Sequence, residues 1–338
     1  KENQSKIGLI SLRLIIRDDM DFDKIEIKRD PTIIFMGTPE FSVPVLEGLI
    51  SKYKVRAIVT QPDKPVGRHG DVKFSPVKEV ALKHNILCLQ PNKIKEALQE
   101  INALEPDLII TCAYGQILPL ELLLIPKLGC INVHASLLPK LRGGAPIHHA
   151  IIDGYSETGV TIMYMAEGMD TGDMISQRKI EITDADTAST LHDKLSILGR
   201  DLLLETLPSI IEGTNKRIPQ DESEATYGFN ISRKDEKIDF SKTMRKIVNQ
   251  VRGLNSWPGA YCMFEDKIMK VWACYRTDKR YDFAMPGEIT AIYSDGFGVK
   301  CSNGEVVFTE IQPEGKKKMR AIDFINGYHG ELVGKILK

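Results

Sequence analysis

Between residues 31 and 134 the chain alternates short apolar runs with amphipathic stretches, and this alternation limits its possible folds more than any other feature. Residues 31–37, 55–60, 86–89, 107–112 and 128–134 read as strands, and 43–49, 78–84 and 93–104 as helices. Strands separated by helices, with short connections, wind into a parallel sheet covered on both faces. The class is therefore α/β, with a Rossmann-like, mostly parallel sheet. Strand order cannot be read from spacing. Ligands of such sheets bind outside the carboxyl ends of the strands, where Gly37, residues 113–115, His134 and Asp170 all fall. The first turn carries one glycine rather than GxGxxG, which argues against a dinucleotide site. Pro39 suits a helix first turn, with Thr38 or Ser42 as its cap.

The densest chemistry lies in residues 130–173. Side chains two apart on a strand share a face, so Asn132 and His134 point the same way, an amide donor beside a titratable imidazole. Residues 136–144 leave regular structure, with Pro139, Gly143 and Gly144 as breakers. Residues 159–165 form another strand, ending in a polar, glycine-spaced loop from which the Asp170 carboxylate can return to His134. A base, its orienting carboxylate and an amide donor suit acyl transfer. Each residue alone has a plainer reading: a packed histidine, a turn asparagine, a loop aspartate. The adjacent His148 and His149 diverge by about 100° on a helix and read as packing or surface residues.

Outside that core the signals are organisational. Residues 61–76 form an unusually long polar connection with Lys64, Arg68, His69 and Lys73 against Asp63 and Asp71. It reads either as a solvated loop or as a binding segment. Residues 187–211 form a long amphipathic helix that covers the core, and 216–233 look like a linker. Residues 234–338 change texture: one helix, then short strands at 260–264, 268–275, 287–293, 298–301 and 306–311, the pattern of a small β-barrel. This part holds 18 Lys and Arg against 14 Asp and Glu, a net charge of +4 in a chain whose total is −1. Its densest basic run is Lys316, Lys317 and Lys318 followed by Arg320, either a solvated charge run or a phosphate-contacting face.

Composition excludes several classes. The 6 cysteines form no CxxC and no cluster with histidine, so they read as reduced core residues in a cytoplasmic protein, with no metal site. No run is apolar enough to span a membrane. The apolar stretch 9–16 is interrupted by Arg13 and followed by Arg17, Asp18 and Asp19, unlike a signal peptide. Residues 1–30 read as an N-terminal extension to which no function attaches.

Taken together, Asn132-Val133-His134, the Ser136-Leu137-Leu138-Pro139 loop, Arg142-Gly143-Gly144-Ala145-Pro146 and Gly168-Met169-Asp170-Thr171-Gly172-Asp173 resemble the folate-dependent formyltransferases. The resemblance runs from about Ile33 to the C-terminus and rests on the order of several motifs. It implies a catalytic domain over 31–215 and an oligonucleotide-binding-type (OB-like) open barrel over 234–338 that contacts tRNA. It implies 10-formyltetrahydrofolate as formyl donor and the α-amino group of initiator methionyl-tRNA as acceptor, in a monomer. Asn132, His134 and Asp170 are then catalytic, with Asp170 orienting the imidazole and favouring its charged form. Ser136, Leu137, Leu138 and Pro139, with Tyr114 and Gly115, line the folate pocket. Lys64, Arg68, Lys73 and Phe74, with Lys316, Lys317 and Lys318, contact tRNA. The 255–259 segment matches the start of the family's barrel and makes Trp257 structural. A sugar amine is the alternative acceptor, and a non-catalytic RNA-binding module the alternative class.

Overall fold

A computed structural model describes residues 30–66 and 71–338. Residues 1–29 of the N-terminal extension, Arg68 and His69 lie outside the described residues, as does the side chain of Lys64.

The first domain runs β1 (Ile33–Gly37), α1 (Val43–Lys52), β2 (Val55–Val59), β3 (Lys64–Val66), β4 (Asp71–Lys73), α2 (Pro76–Lys83), β5 (Leu87–Leu89), α3 (Leu98–Ala103) and β6 (Leu108–Cys112). It continues through α4 (Leu120–Leu123), β7 (Cys130–His134), α5 (Pro146–Ile152), β8 (Glu157–Tyr164), β9 (Met174–Glu181) and α6 (Ala188–Ile211). Seven strands form one sheet in the order β5-β2-β1-β6-β7-β8-β9. The first five in that order are parallel; β8 and β9 close its far side as antiparallel neighbours.

Alternate residues of β1 serve different layers. Ile33 and Phe35 pack with Val45, Leu49, Leu195 and Leu203, beneath α1 and α6. Ile34 and Met36 pack with Ile101 and Leu122, beneath α3 and α4. The chain winds one way from β1 through β2 to β5, then returns to place β6 on the other side of β1. That reversal opens a crevice at the carboxyl ends of β1 and β6. Gly37 fits there because a Cβ would stand 2.9 Å from the Cys112 carbonyl oxygen.

Several expectations change in detail. Ser42 stands at the N-cap of α1, but no side chain caps the helix; the Thr38 and Ser42 hydroxyls donate to the carbonyls of Tyr114 (3.1 Å) and Cys112 (2.6 Å), tying the β1 turn to the end of β6. The long connection after β2 is not wholly irregular, since β3 and β4 pair as an antiparallel hairpin. The 93–104 helix begins as a tighter 3₁₀ turn before α3.

The second domain contains α7 (Arg233–Glu236), α8 (Met244–Gly253), β10 (Ala260–Phe264), β11 (Lys267–Arg276), β12 (Ile289–Ile292), β13 (Phe297–Cys301), β14 (Gly304–Pro313), β15 (Met319–Arg320) and α9 (Ala321–Gly327). All its strand pairs are antiparallel, in the order β10-β11-β14-β13-β12, with β15 on β14. The last residues join the two open edges. Leu337 N–H donates to Gly287 beside β12, and Lys338 and Met263 exchange backbone bonds on β10. A strand-like tail thus closes the sheet, removing edges that would otherwise expose unpaired backbone.

The domains meet through polar contacts as well as packing. Arg252 of α8, nearly buried, donates to the carbonyls of Thr183 (2.7 Å) and Asp186 (3.2 Å) in the turn before α6. The His148 ring on α5 is hydrogen-bonded to the Gly253 carbonyl (2.7 Å). All six cysteines are free thiols, and burial pushes those of Cys112, Cys130 and Cys262 up to about 12, away from thiolate chemistry. No helix among the described residues is long and apolar enough to cross a membrane.

Candidate active site

A cleft of about 1010 Å³ opens at the carboxyl ends of β6 and β7. Asn132, His134, Asp170, Tyr114 and Gly115 all line it. The structure therefore brings together the three residues expected to react and two of those expected to hold the folate.

The register of the sheet orients Asn132. Thr111 on β6 stands beside it, and the Thr111 hydroxyl donates to Asn132 Oδ1 (2.9 Å). With its oxygen so engaged, the amide turns its NH₂ toward the cleft. Sequence reasoning missed Thr111, because its role depends on which strand neighbours β7.

His134 is buried, 5% exposed. Its Nε2 lies 3.1 Å from the Leu141 carbonyl oxygen, which can only accept, so Nε2 carries the proton. Nδ1 then carries the ring's free lone pair. It lies 3.7 Å from Asp170 Oδ2, close enough for charge attraction but beyond a direct hydrogen bond. The same carboxylate oxygen accepts from Gly143 N–H (2.8 Å). Asp170 adopts a left-handed backbone, φ 50°, which a short polar residue tolerates. Gly143 is required where it stands: its φ is 115° and a Cβ would lie 2.9 Å from the Gly228 carbonyl.

The wall beyond the imidazole is built from residues 113–118. Tyr114 is 4% exposed, and its hydroxyl is a buried side-chain oxygen without a partner among the described residues. Burial also raises that phenol to about 12, so it remains a donor. Ala113 and Gly115 both have positive φ, which turns the chain sharply and leaves space over Gly115. Ile117 is 84% exposed and lines the same cleft with Leu118 and Met165, an apolar surface the motif reading passed over. Its signal was the apolar pair directly after Gly115-Gln116.

Four expected pocket residues do not line the cleft. Ser136, Leu137, Leu138 and Pro139 run behind His134, against β8 and β9. The Ser136 hydroxyl donates to the Lys140 carbonyl (2.6 Å), Leu138 N–H to the Thr161 hydroxyl (3.1 Å), and the Gln177 amide to the Leu138 carbonyl (2.8 Å). Leu138 is 3% exposed. With its polar groups engaged from behind, the loop supports the site rather than presenting contacts to a ligand. Trp257, expected to be structural, is 70% exposed and lines the cleft near His148.

The expected linker also has a place in the site. Arg142 N–H donates to Thr226, Gly228 N–H to Arg142, and Ala145 N–H to Gly228, so residues 226–228 run beside 142–145 like a strand. Asn230 reaches the cleft wall. Of the residues expected to meet tRNA, Lys73 at the end of β4 and Phe74 just after it are exposed, and the Lys78 ammonium stands 4.1 Å over the Phe74 ring. Lys316, Lys317 and Lys318 are exposed before β15, with Lys318 paired to Glu310 (2.6 Å). None of these five lines the cleft.

Comparison with known proteins gives the family. The formyl transferase family pattern matches residues 32–207, and the formyl transferase C-terminal domain pattern matches 230–329. The chain belongs to the formyl transferase family. It is 52% identical to the methionyl-tRNA formyltransferase of Lysinibacillus sphaericus over 305 residues, covering 89% of this chain and 97% of that one. It is 50% identical to the methionyl-tRNA formyltransferase of Bacillus subtilis over 309 residues, 89% of this chain and 97% of that one. The fold is shared with WlaRD, a sugar 3N-formyl transferase (TM-score 0.63, 20% identity, 86% of this chain and 100% of that one).

Proposed function

We propose that the enzyme transfers the formyl group of 10-formyltetrahydrofolate to the α-amino group of initiator methionyl-tRNA, for translation initiation, with Asn132, His134 and Asp170 as the reacting side chains. The observation that carries this reading is the pairing of a free amide NH₂ with a basic imidazole nitrogen on adjacent alternate residues of β7, at one cleft wall.

A free α-amino group has a pKa of about 8 and must be neutral to attack. His134 Nδ1 takes the proton released as the amine attacks the formyl carbon, and passes a proton to the departing folate nitrogen. Asp170, 3.7 Å away, offsets the positive charge on the imidazole while it holds that proton. The Asn132 NH₂ donates to the formyl oxygen as negative charge builds there, an interaction stronger in the transition state than before it. Ala113, Gly115 and Ile117 form the wall for the folate.

The acceptor assignment rests on about 50% identity to methionyl-tRNA formyltransferases along nearly the whole chain, against 20% for the sugar enzyme. The protein acts as a cytoplasmic monomer in which the hairpin side of the first domain and the barrel's lysines meet tRNA phosphates and Phe74 stacks on a base. The test is formyl transfer from 10-formyltetrahydrofolate to initiator methionyl-tRNA, with elongator methionyl-tRNA and an amino sugar beside it. Formylation of the initiator alone is expected. Transfer to the sugar alone would keep the chemistry and overturn the acceptor.

A further inference from the structure

The 3.7 Å between His134 and Asp170 is not held by a direct hydrogen bond, so the frame around the two residues must set it. That frame converges on one amide. Gln220, 50 residues beyond Asp170, donates from Nε2 to the carbonyls of Asp170 (2.7 Å) and Gly172 (2.8 Å). Its Oε1 accepts from Arg142 Nε (3.0 Å) and Nη2 (2.8 Å). Both amide protons and the oxygen are engaged.

What Gln220 joins are the two loops that hold the reacting pair. The Arg142 side chain is fully buried, and its immediate neighbours are the anchors already described: the Leu141 carbonyl fixes His134 Nε2, and Gly143 N–H fixes Asp170 Oδ2. On the other side, Gln220 grips the backbone of Asp170 itself. Gly172 offers no slack, since a Cβ there would stand 1.8 Å from the Tyr164 carbonyl oxygen. We infer that Gln220 is a positioning residue for formyl transfer, aligning Asp170 with His134 by clamping the Leu141–Gly143 turn to the Asp170–Gly172 turn. The inference rests on the reading that His134 and Asp170 act as a pair.

Only an amide does this. Glutamate keeps the acceptor for Arg142 but has no donor for the two carbonyls; leucine has neither. A small misplacement of a catalytic group costs rate without costing affinity. In the full chain, Gln220→Leu is expected to lower kcat on the order of 10- to 100-fold while KM for both substrates stays within about threefold. Gln220→Glu is expected to lose as much, and a wild-type kcat in that variant would overturn the inference.

The decisive readout is coupling. In an Asp170→Asn background, Gln220→Leu should cost no more than about twofold, because the alignment it provides has lost its object. Losses that multiply instead would mark Gln220 as general scaffold and overturn the inference. Thermal unfolding reports whether the leucine variant is folded; if it is not, the glutamate variant, which keeps its Arg142 contacts, carries the same cycle. Imidazole ¹⁵N spectra give a measure that needs no acceptor. Wild type should show His134 protonated at Nε2, and Gln220→Leu should shift both ring nitrogens; unchanged spectra would overturn the inference. Failure of the acceptor assignment is seen separately, as wild-type enzyme that leaves methionyl-tRNA unformylated.

Discussion

Two carboxyl groups, one in each domain, are treated in opposite ways. In the barrel, Glu305 is fully buried and accepts from the hydroxyls of Thr277, Thr290 and Tyr293. Gly298 makes room for it, since a Cβ there would lie 2.1 Å from Glu305 Oε1. Burial, then Glu305 itself, raises the Tyr293 phenol above its ordinary range, so the hydroxyl remains a donor. In the catalytic domain, Asp170 Oδ2 accepts one backbone N–H, and Nδ1 of His134 stands 3.7 Å away with its lone pair unspent. Glu305 is surrounded by donors and closed in; Asp170 faces a cleft. A carboxyl whose partners are complete holds a fold together, whereas one set near an uncommitted base in a cleft is a candidate for chemistry.

The comparison breaks most severely at His134. His134→Ala should lower formyl transfer on the order of 10²–10⁴-fold in single-turnover assays of the folded variant. Asn132→Ala should follow at about 10²–10³-fold, mostly in kcat. Glu305→Leu should do the reverse. It removes the shared acceptor of three half-buried hydroxyls, lowering stability by about 3 kcal/mol in urea titration, with kcat per folded molecule unchanged. Loss of chemistry in Glu305→Leu at a temperature where it is folded would erase the distinction between the two groups.

Asp186 sharpens it with a carboxylate that is charged and structural. Burial raises its pKa, but Lys194, with hydrogen bonds from Thr183 and Thr190, outweighs this and brings it down to about 2. Because the folded value is depressed below the ordinary 3.8, Asp186 stabilises the fold at pH above about 4 and loses this as pH falls toward 2. At pH 6 Asp186→Asn should cost on the order of 2 kcal/mol, a difference that vanishes by about pH 2 in denaturant titrations. The smallest effect is expected at Lys317. Lys317→Ala should weaken tRNA binding a few-fold at low salt and reduce the salt slope by about 1, with kcat untouched.

The pattern of apolar runs and breakers was enough to place most strands of both domains within a residue or two. Strands with two-residue periodicity and helices with leucines at threes and fours advertise themselves locally. It also placed Asn132 and His134 on one face of β7, because that follows from strand geometry alone. The interior of the 61–76 connection was less legible, since a three-residue hairpin has too few residues to show a period. The Ser136–Pro139 loop was legible as a motif but not in its direction. Which way a loop folds after a strand depends on what accepts its backbone, here Thr161 and Gln177 on neighbouring strands.

The sequence by itself determined the α/β class, the change to a β-rich second domain and the placing of Asn132 and His134 on one strand face, because these rest on local periodicity and on motifs in order. Only the tertiary structure decided how those residues are aimed. Thr111 turns the Asn132 amide from a neighbouring strand, Leu141 assigns the His134 proton, and Gln220 grips Asp170 across 50 residues. The physical reason is that a hydrogen bond orients a side chain only when its partner is in place, and these partners come from segments brought together by the fold rather than by the order of the chain.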